Sequence, residues 1–192
     1  MMEITRRSGW RGFLAWCCLL LCPGCATSTT ERLKLPPPKT VPHVELQRYL
    51  GTWYEIASFP QSFQRGCTAS MASYSLRHDG DIDVFNRCHV GALDGPLKSV
   101  HGRARVMDQS SNAKLKVSFF RPFWGDYWIL DLADDYSYAV VGHPSRDYLW
   151  ILSRTASMPP STYQQILQRL AAQGYETTRL VRTLQITAST TS

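Results

Sequence analysis

Long hydrophobic runs are scarce in this sequence, and the one that stands out is short. Residues 13–21 are apolar, fewer than the roughly 20 that an ordinary membrane-spanning helix needs. Charge is neither abundant nor clustered: charged residues make up 19% of the 192, and the net +6 includes no basic run. Nucleic acid is therefore not expected as a partner, and a mild attraction to anionic lipid surfaces is the most that the charge implies. Arg6, Arg7, Arg11 and Glu3 lie in the first 24 residues, which leaves +4 for the remainder. There is no phosphate loop and no Ser–His–Asp order, and the five histidines (43, 78, 89, 101 and 143) stand singly, without the close pairing usual at a zinc site. No catalytic residue, metal or cofactor is named by these residues. With 44% hydrophobic residues, the chain reads as one globular domain with additions.

The additions lie at the front. Three arginines, a short apolar run, small residues and a cysteine read as an export signal over 1–24. Pro23-Gly24-Cys25-Ala26 resembles a lipobox, with Cys22 standing where an aliphatic residue is usual. That resemblance implies a lipid-modified Cys25. Ala26 in place of Asp implies sorting to the outer membrane, with the folded part on the periplasmic side. Residues 25–43 then form the anchor and a Pro-rich tether whose Pro36-Pro37-Pro38 is stiff and extended. Of the six cysteines only Cys67 and Cys88 lie in the body. In an exported chain they suggest one disulfide, with free thiols as the alternative.

From Gly51 onward short β-type runs alternate with turn residues. Residues 74–77 and 82–86 flank Asp79-Gly80, the pair that supplies the positive backbone angle of a tight hairpin. Residues 114–119 alternate polar and apolar, as a strand with one wet face does. Residues 127–132, 138–142 and 149–153 are further runs. Near the end, Pro159-Pro160-Ser161 opens a helix with Tyr163, Ile166, Leu167, Leu170 and Ala171 on one face, and Gly174 stops it. A short last strand is expected over 178–184. The order suggests an all-β, eight-stranded antiparallel barrel, with the helix packed outside and the short strand last; such a barrel can hold one small ligand.

Two separated motifs give that barrel a family. Gly51-Thr52-Trp53 on the first strand and Leu149-Trp150-Ile151-Leu152-Ser153-Arg154 near the end resemble the opening and closing signatures of the lipocalins. Residues 131–136 match the middle signature loosely. The resemblance runs from about residue 44 to 184 and is strongest to the bacterial outer-membrane and apolipoprotein D-like members. It implies an up-and-down lipocalin barrel over 44–186, with 187–192 as a tail. It also implies that Arg154 lies on the Trp53 indole and closes one end, a contact contributing about 0.5–2 kcal/mol.

If Trp53 points inward, strand alternation puts Glu55 and Ala57 on the same face, and Arg154 brings Leu152 and Trp150. The resemblance implies that Tyr74 and Asn86 project into the pocket; Ala72, Leu76 and Val84 follow by parity. The aromatic stretch 119–125 is expected as a loop near the mouth. Trp124 and Trp150 there would clamp a ligand chain, while Tyr74, Asn86 and Arg121 meet its polar end. A hydrophobic cap, a homodimer contact or a membrane contact remain alternatives for that stretch. Glu55 needs hydrogen bonds, neutralisation or water in such a place. The ligands implied are fatty acids, lysophospholipids or similar apolar molecules. A pocket-cysteine enzyme and a non-binding envelope scaffold are the alternatives.

Overall fold

The computed structural model describes residues 35–187. The signal, the lipobox with Cys25 and almost all of the tail lie outside the described residues. Nine strands form one antiparallel sheet: β1 Gly51–Ser58, β2 Cys67–Leu76, β3 Ile82–Val90, β4 Leu97–Val106, β5 Lys114–Phe120, β6 Phe123–Leu132, β7 Tyr138–Gly142, β8 Leu149–Ser153 and β9 Val181–Arg182. Each of β2 to β7 pairs with the next, β8 pairs with β1, and β1 pairs back onto β2, which closes an eight-stranded barrel with β9 set against β1. A four-residue helix, α1 (Leu46–Tyr49), precedes β1, and α2 (Pro160–Ala172) follows β8.

The chain folds this way because its strands are apolar on the faces that need it. Trp53, Tyr74, Val84, Ala104, Leu115, Ile129 and Leu152 form the interior cluster. Ile56, Leu130, Val140, Leu149 and Ile151 form a second cluster with Ile166 and Leu170 of α2. β7 and β8 therefore need both faces apolar, one toward the interior and one toward the helix. This is why 139–141 and 149–152 read as continuous runs. Pro160 starts α2 and Gly174, at φ +81°, follows its end. The β2–β3 hairpin turns through Gly80 at φ +84°, as the Asp-Gly pair implied.

Four expectations need correction. The final strand is two residues long, because Thr177–Arg179 coils into a 3-10 turn first. β4 had no expected strand, because its inward side chains include Gly102 and Ala104 and give only a weak apolar signal. The stretch 119–125 is a hairpin between β5 and β6 with only 121–122 between the strands. The Pro-rich segment is not a free spacer from Pro36 onward. The Arg146 Nη2 donates to the Pro36 carbonyl at 2.6 Å, and the Lys39 N–H donates to Gln173 Oε1 at 2.8 Å. Val41 and Val44 donate to Ile129 and Ser111 carbonyls at 3.0 and 2.7 Å. A polyproline-like strand cannot satisfy its own carbonyls and amides, so it docks where the barrel offers partners.

One end of the barrel is sealed. The Arg154 guanidinium lies 3.7 Å from the centroid of the fully buried Trp53. It donates to the carbonyls of Thr52 at 2.9 Å and Arg48 at 2.6 Å, while Trp53 Nε1 donates to the Tyr49 carbonyl at 2.8 Å. One residue thus ties β8, β1 and α1 together. Arg154→Ala should lower unfolding free energy by about 2–4 kcal/mol, combining the lost stacking and two charge-assisted hydrogen bonds. Denaturant titration checks this, and a loss under 1 kcal/mol would contradict it.

Candidate functional site

Above the sealed end the interior is hollow. The cavity measures about 860 Å³ and opens at the end formed by the β1–β2, β3–β4, β5–β6 and β7–β8 connections. Its walls are mostly apolar and include Ala72, Val84, Val117, Phe119 and Leu152. Phe119 fits because β4 offers Gly102 opposite: a Cβ there would come within 2.6 Å of the ring.

The deep polar groups are three phenols. Tyr127 hydrogen-bonds Tyr49 at 2.7 Å and Tyr74 at 3.1 Å, oxygen to oxygen. Burial pushes the Tyr74 pKa up to about 12 and those of Tyr49 and Tyr127 well above the ordinary phenol value. All three are neutral hydrogen-bonding groups at physiological pH. Higher on β3, Asn86 lines the cavity and its buried Oδ1 has no hydrogen-bond partner. Leaving such an acceptor unmatched costs about 1–3 kcal/mol, so it is available to a ligand donor.

Near the mouth a polar chain crosses the cup. Trp150 Nε1 donates to Gln64 Oε1 at 3.0 Å, and Gln64 Nε2 donates to Glu55 Oε2 at 2.7 Å. Glu55 also accepts from Ser58 Oγ at 3.0 Å and Thr183 Oγ1 at 2.6 Å. The awkward carboxylate is thus satisfied by three donors, none of them a charge. Gln64 lies in a single 3-10 turn, Ser62–Gln64, folded over the rim. No periodicity marks that turn, and nothing in the sequence singles Gln64 out. Tyr127, by contrast, was reachable by alternation from Ile129 along β6.

Of the expected site residues, Tyr74, Asn86 and Trp150 line one cavity. Ala57 does not: it packs in the outer cluster beneath α2. The reason is a bulge. Glu55 pairs with Leu152 and Ala57 with the very next residue, Ile151, so Ile56 is extra and the alternation inverts. Trp124 borders the cavity at the rim, but Gly125 takes the inward position opposite Val117. The Trp124 ring has the Arg105 guanidinium 5.5 Å from its centroid, on the outer wall. Trp150 and, at the rim, Trp124 both border the cavity, while Arg121 borders an outer groove with Arg77 and Arg103 instead of the cup. Leu76 is exposed past the sealed end.

Cys67 and Cys88 are disulfide-bonded, with Cα atoms 5.5 Å apart. A register shift between Thr68 and Met71 shortens their stagger, Cys67 lying opposite Val90. With the two sulfurs joined, neither is a free nucleophile, which removes the thiol that the enzyme alternative required. Among the described residues no group of three or more His, Cys, Asp or Glu could hold a metal ion.

A family model described as a lipocalin-like domain matches residues 44–185. The outer membrane lipoprotein Blc of Citrobacter freundii is 44% identical over 148 residues, covering 76% of this chain and 83% of that one. The temperature-induced lipocalin-1 of Arabidopsis thaliana is 41% identical over 156 residues (77% and 82%). Mouse apolipoprotein D is 35% identical over 162 residues (79% and 82%). Among solved structures, insecticyanin of the tobacco hornworm Manduca sexta superimposes with a TM-score of 0.62 at 19% identity, covering 81% of this chain and 87% of that one; this likeness shows the fold.

The buried phenols set a pH limit. Below pH 10 Tyr74 is protonated whether the chain is folded or not, so its contribution is fully present. As pH rises from 10 toward 12 the unfolded chain ionises it first, and stability falls by up to about 1.4 kcal/mol per pH unit for each such phenol. Denaturant midpoints measured from pH 9 to 12 should decline, and less steeply in Tyr74→Phe. Equal slopes in the two proteins would contradict the phenol assignment.

Proposed function

The chain belongs to the lipocalin family, and from that premise we propose that it is a lipid-anchored envelope protein. Its cup binds, stores or carries fatty acids, lysophospholipids or similar small hydrophobic molecules. The observation that carries this reading is the cavity: about 860 Å³ of mostly apolar wall, floored by neutral phenols, with an unmatched Asn86 oxygen inside. Pockets that enclose small ligands commonly measure about 300–1,000 Å³ and combine such walls with a few placed polar groups.

Desolvation supplies the affinity, at about 0.8 kcal/mol per buried methylene. After ordering costs, an acyl chain of ordinary length reaches micromolar affinity or better. Tyr74 and Asn86 meet a polar group on the ligand, and Trp150 packs along its chain. Glu55 bars a ligand carboxylate from the β1 wall. The hollow interior speaks against a scaffold whose core is filled by its own side chains.

An outer-membrane location is supported by the lipobox-like stretch at Cys25 and by relatives named outer membrane lipoprotein. Lipidation at Cys25 fixes the protein to the outer membrane, with the barrel in the periplasm. This reading is one of binding, and it is supported against a pocket-thiol enzyme by the Cys67–Cys88 disulfide.

Titration of the delipidated protein with fatty acids and lysophospholipids, followed by tryptophan fluorescence, tests this. The expected result is saturable one-to-one quenching, with affinity reduced about tenfold in Trp150→Ala as several methylene contacts are lost. A folded barrel indifferent to every lipid offered would overturn the reading.

A further inference from the structure

The two ends of the barrel differ in what they show to solvent. Around the mouth, Phe63, Leu97, Phe120 and Phe123 are 55–76% exposed, and Val90 joins them. These side chains come from three different connections, so they ring the opening instead of forming one stray patch. Isolated exposed hydrophobics are ordinary, but a contiguous apolar rim marks a contact surface. Arg65, Lys98 and Arg121 stand among them, together with exposed Asp94 and Asp147, while the rim's Asp126 is paired with Lys116 at 3.5 Å. The turns of the sealed end carry Asp108, Asp134 and Asp135, with Leu76 and Met107 exposed beside them but no exposed phenylalanine there among the described residues.

The docked N-terminal segment points the same way. From Val44, bound beside Ser111 at the sealed end, it climbs the outer wall past Val41 and Lys39. It reaches Pro36, whose carbonyl is held by Arg146. Arg146 belongs to the β7–β8 connection at the mouth. It is 4% exposed, sits at φ +64°, and also grips the Gln173 carbonyl at 2.8 Å. Leu35 packs against Gly174 beside it. The chain leaves the described body at the open end, ten residues from Cys25. Ten residues span about 35 Å at most.

We propose that the mouth rim docks on a phospholipid bilayer. Phe63, Leu97, Phe120 and Phe123 enter the headgroup layer, Arg65, Lys98 and Arg121 meet anionic lipid heads, and the Arg146-latched strap holds the opening toward the membrane. The last element rests on lipidation at Cys25; the rim contact does not. In this arrangement a lipid passes between bilayer and cup without crossing open water. Aromatic side chains favour the interface between water and hydrocarbon, and basic residues near an anionic surface add attraction that salt screens.

Hydrogen exchange on the full chain tests this, comparing detergent with vesicles of phosphatidylglycerol and phosphatidylcholine. The expected result is several-fold slower exchange on vesicles in residues 59–66, 91–96 and 119–125, with none in 77–81, 107–113 or 133–137. The double variant Phe120→Glu/Phe123→Glu, whose side chains are exposed and carry no core packing, should lose that protection while the strands remain protected. Cys25→Ser should keep rim protection at high vesicle concentration. The mass of the N-terminal peptide reports separately whether Cys25 is lipidated, so failure of the anchor reading is distinguishable from failure of the rim. Protection of the sealed end, or no protection at either end, would overturn the proposal. So would rim protection that grows with protein concentration without vesicles, which would assign the surface to a second copy of the chain.

Discussion

Everything in this structure depends on closing one end of a barrel while leaving the other open. Arg154 does the closing. Its guanidinium covers the Trp53 indole and takes up backbone carbonyls from β1 and from the end of α1. A planar, permanently charged group suits the place, because it stacks and donates in several directions at once. A lysine could offer neither the stacked face nor the fork. With that end plugged by two side chains, the remaining interior need not be filled for the strands to pair. Hollow space is thereby tolerated that an ordinary core could not carry.

The open end is built by irregularity. Bulges in β1 at Ile56 and in β2 between Thr68 and Met71 separate the two strands above Tyr54 and Met71. The gap is filled by the C-terminal segment. Thr183 donates its N–H to the Ile56 carbonyl, and the Ala69 N–H donates to the Leu184 carbonyl. Gln185 donates to the carbonyls of Glu55 and Ser70. Thr183 also supplies one of the donors that make a buried Glu55 tolerable. The segment just after β9, residues 183–185, is therefore a wedge in the barrel seam, while β9 itself pairs with β1.

Much of the architecture was legible because its signals are local and periodic. Alternation in β5, the Asp-Gly turn, the helix stripe ending at Gly174 and the paired motifs around Trp53 and Arg154 each register in a few residues. Tyr74 and Asn86 came from the family resemblance, and alternation extended the site only where it held without interruption. It served for Ala72 and Val84 on the regular stretch of the β2–β3 ladder, and for Trp150 opposite Ser58. It failed at Ala57, where one extra residue inverts the faces, and at Leu76, which is exposed; Trp124, expected from the aromatic stretch, borders the cavity at its rim. Bulges carry no compositional mark in β1, so the inversion could not be read there. Pro36 to His43 read as part of the tether because the docking partners Arg146 and Gln173 lie more than a hundred residues away.

The central claim is that the cup is an empty space kept for an apolar guest. Its most direct test is to fill that space from the wall. Ala72 is buried at the cavity wall on a regular part of β2, and a phenyl ring placed there occupies room that a ligand needs. The measurement is calorimetric affinity for a lysophospholipid in the native protein and in Ala72→Phe, with folding checked by circular dichroism. The account predicts a folded variant whose affinity falls at least tenfold. Undiminished binding in a folded Ala72→Phe would place the lipid elsewhere and contradict it.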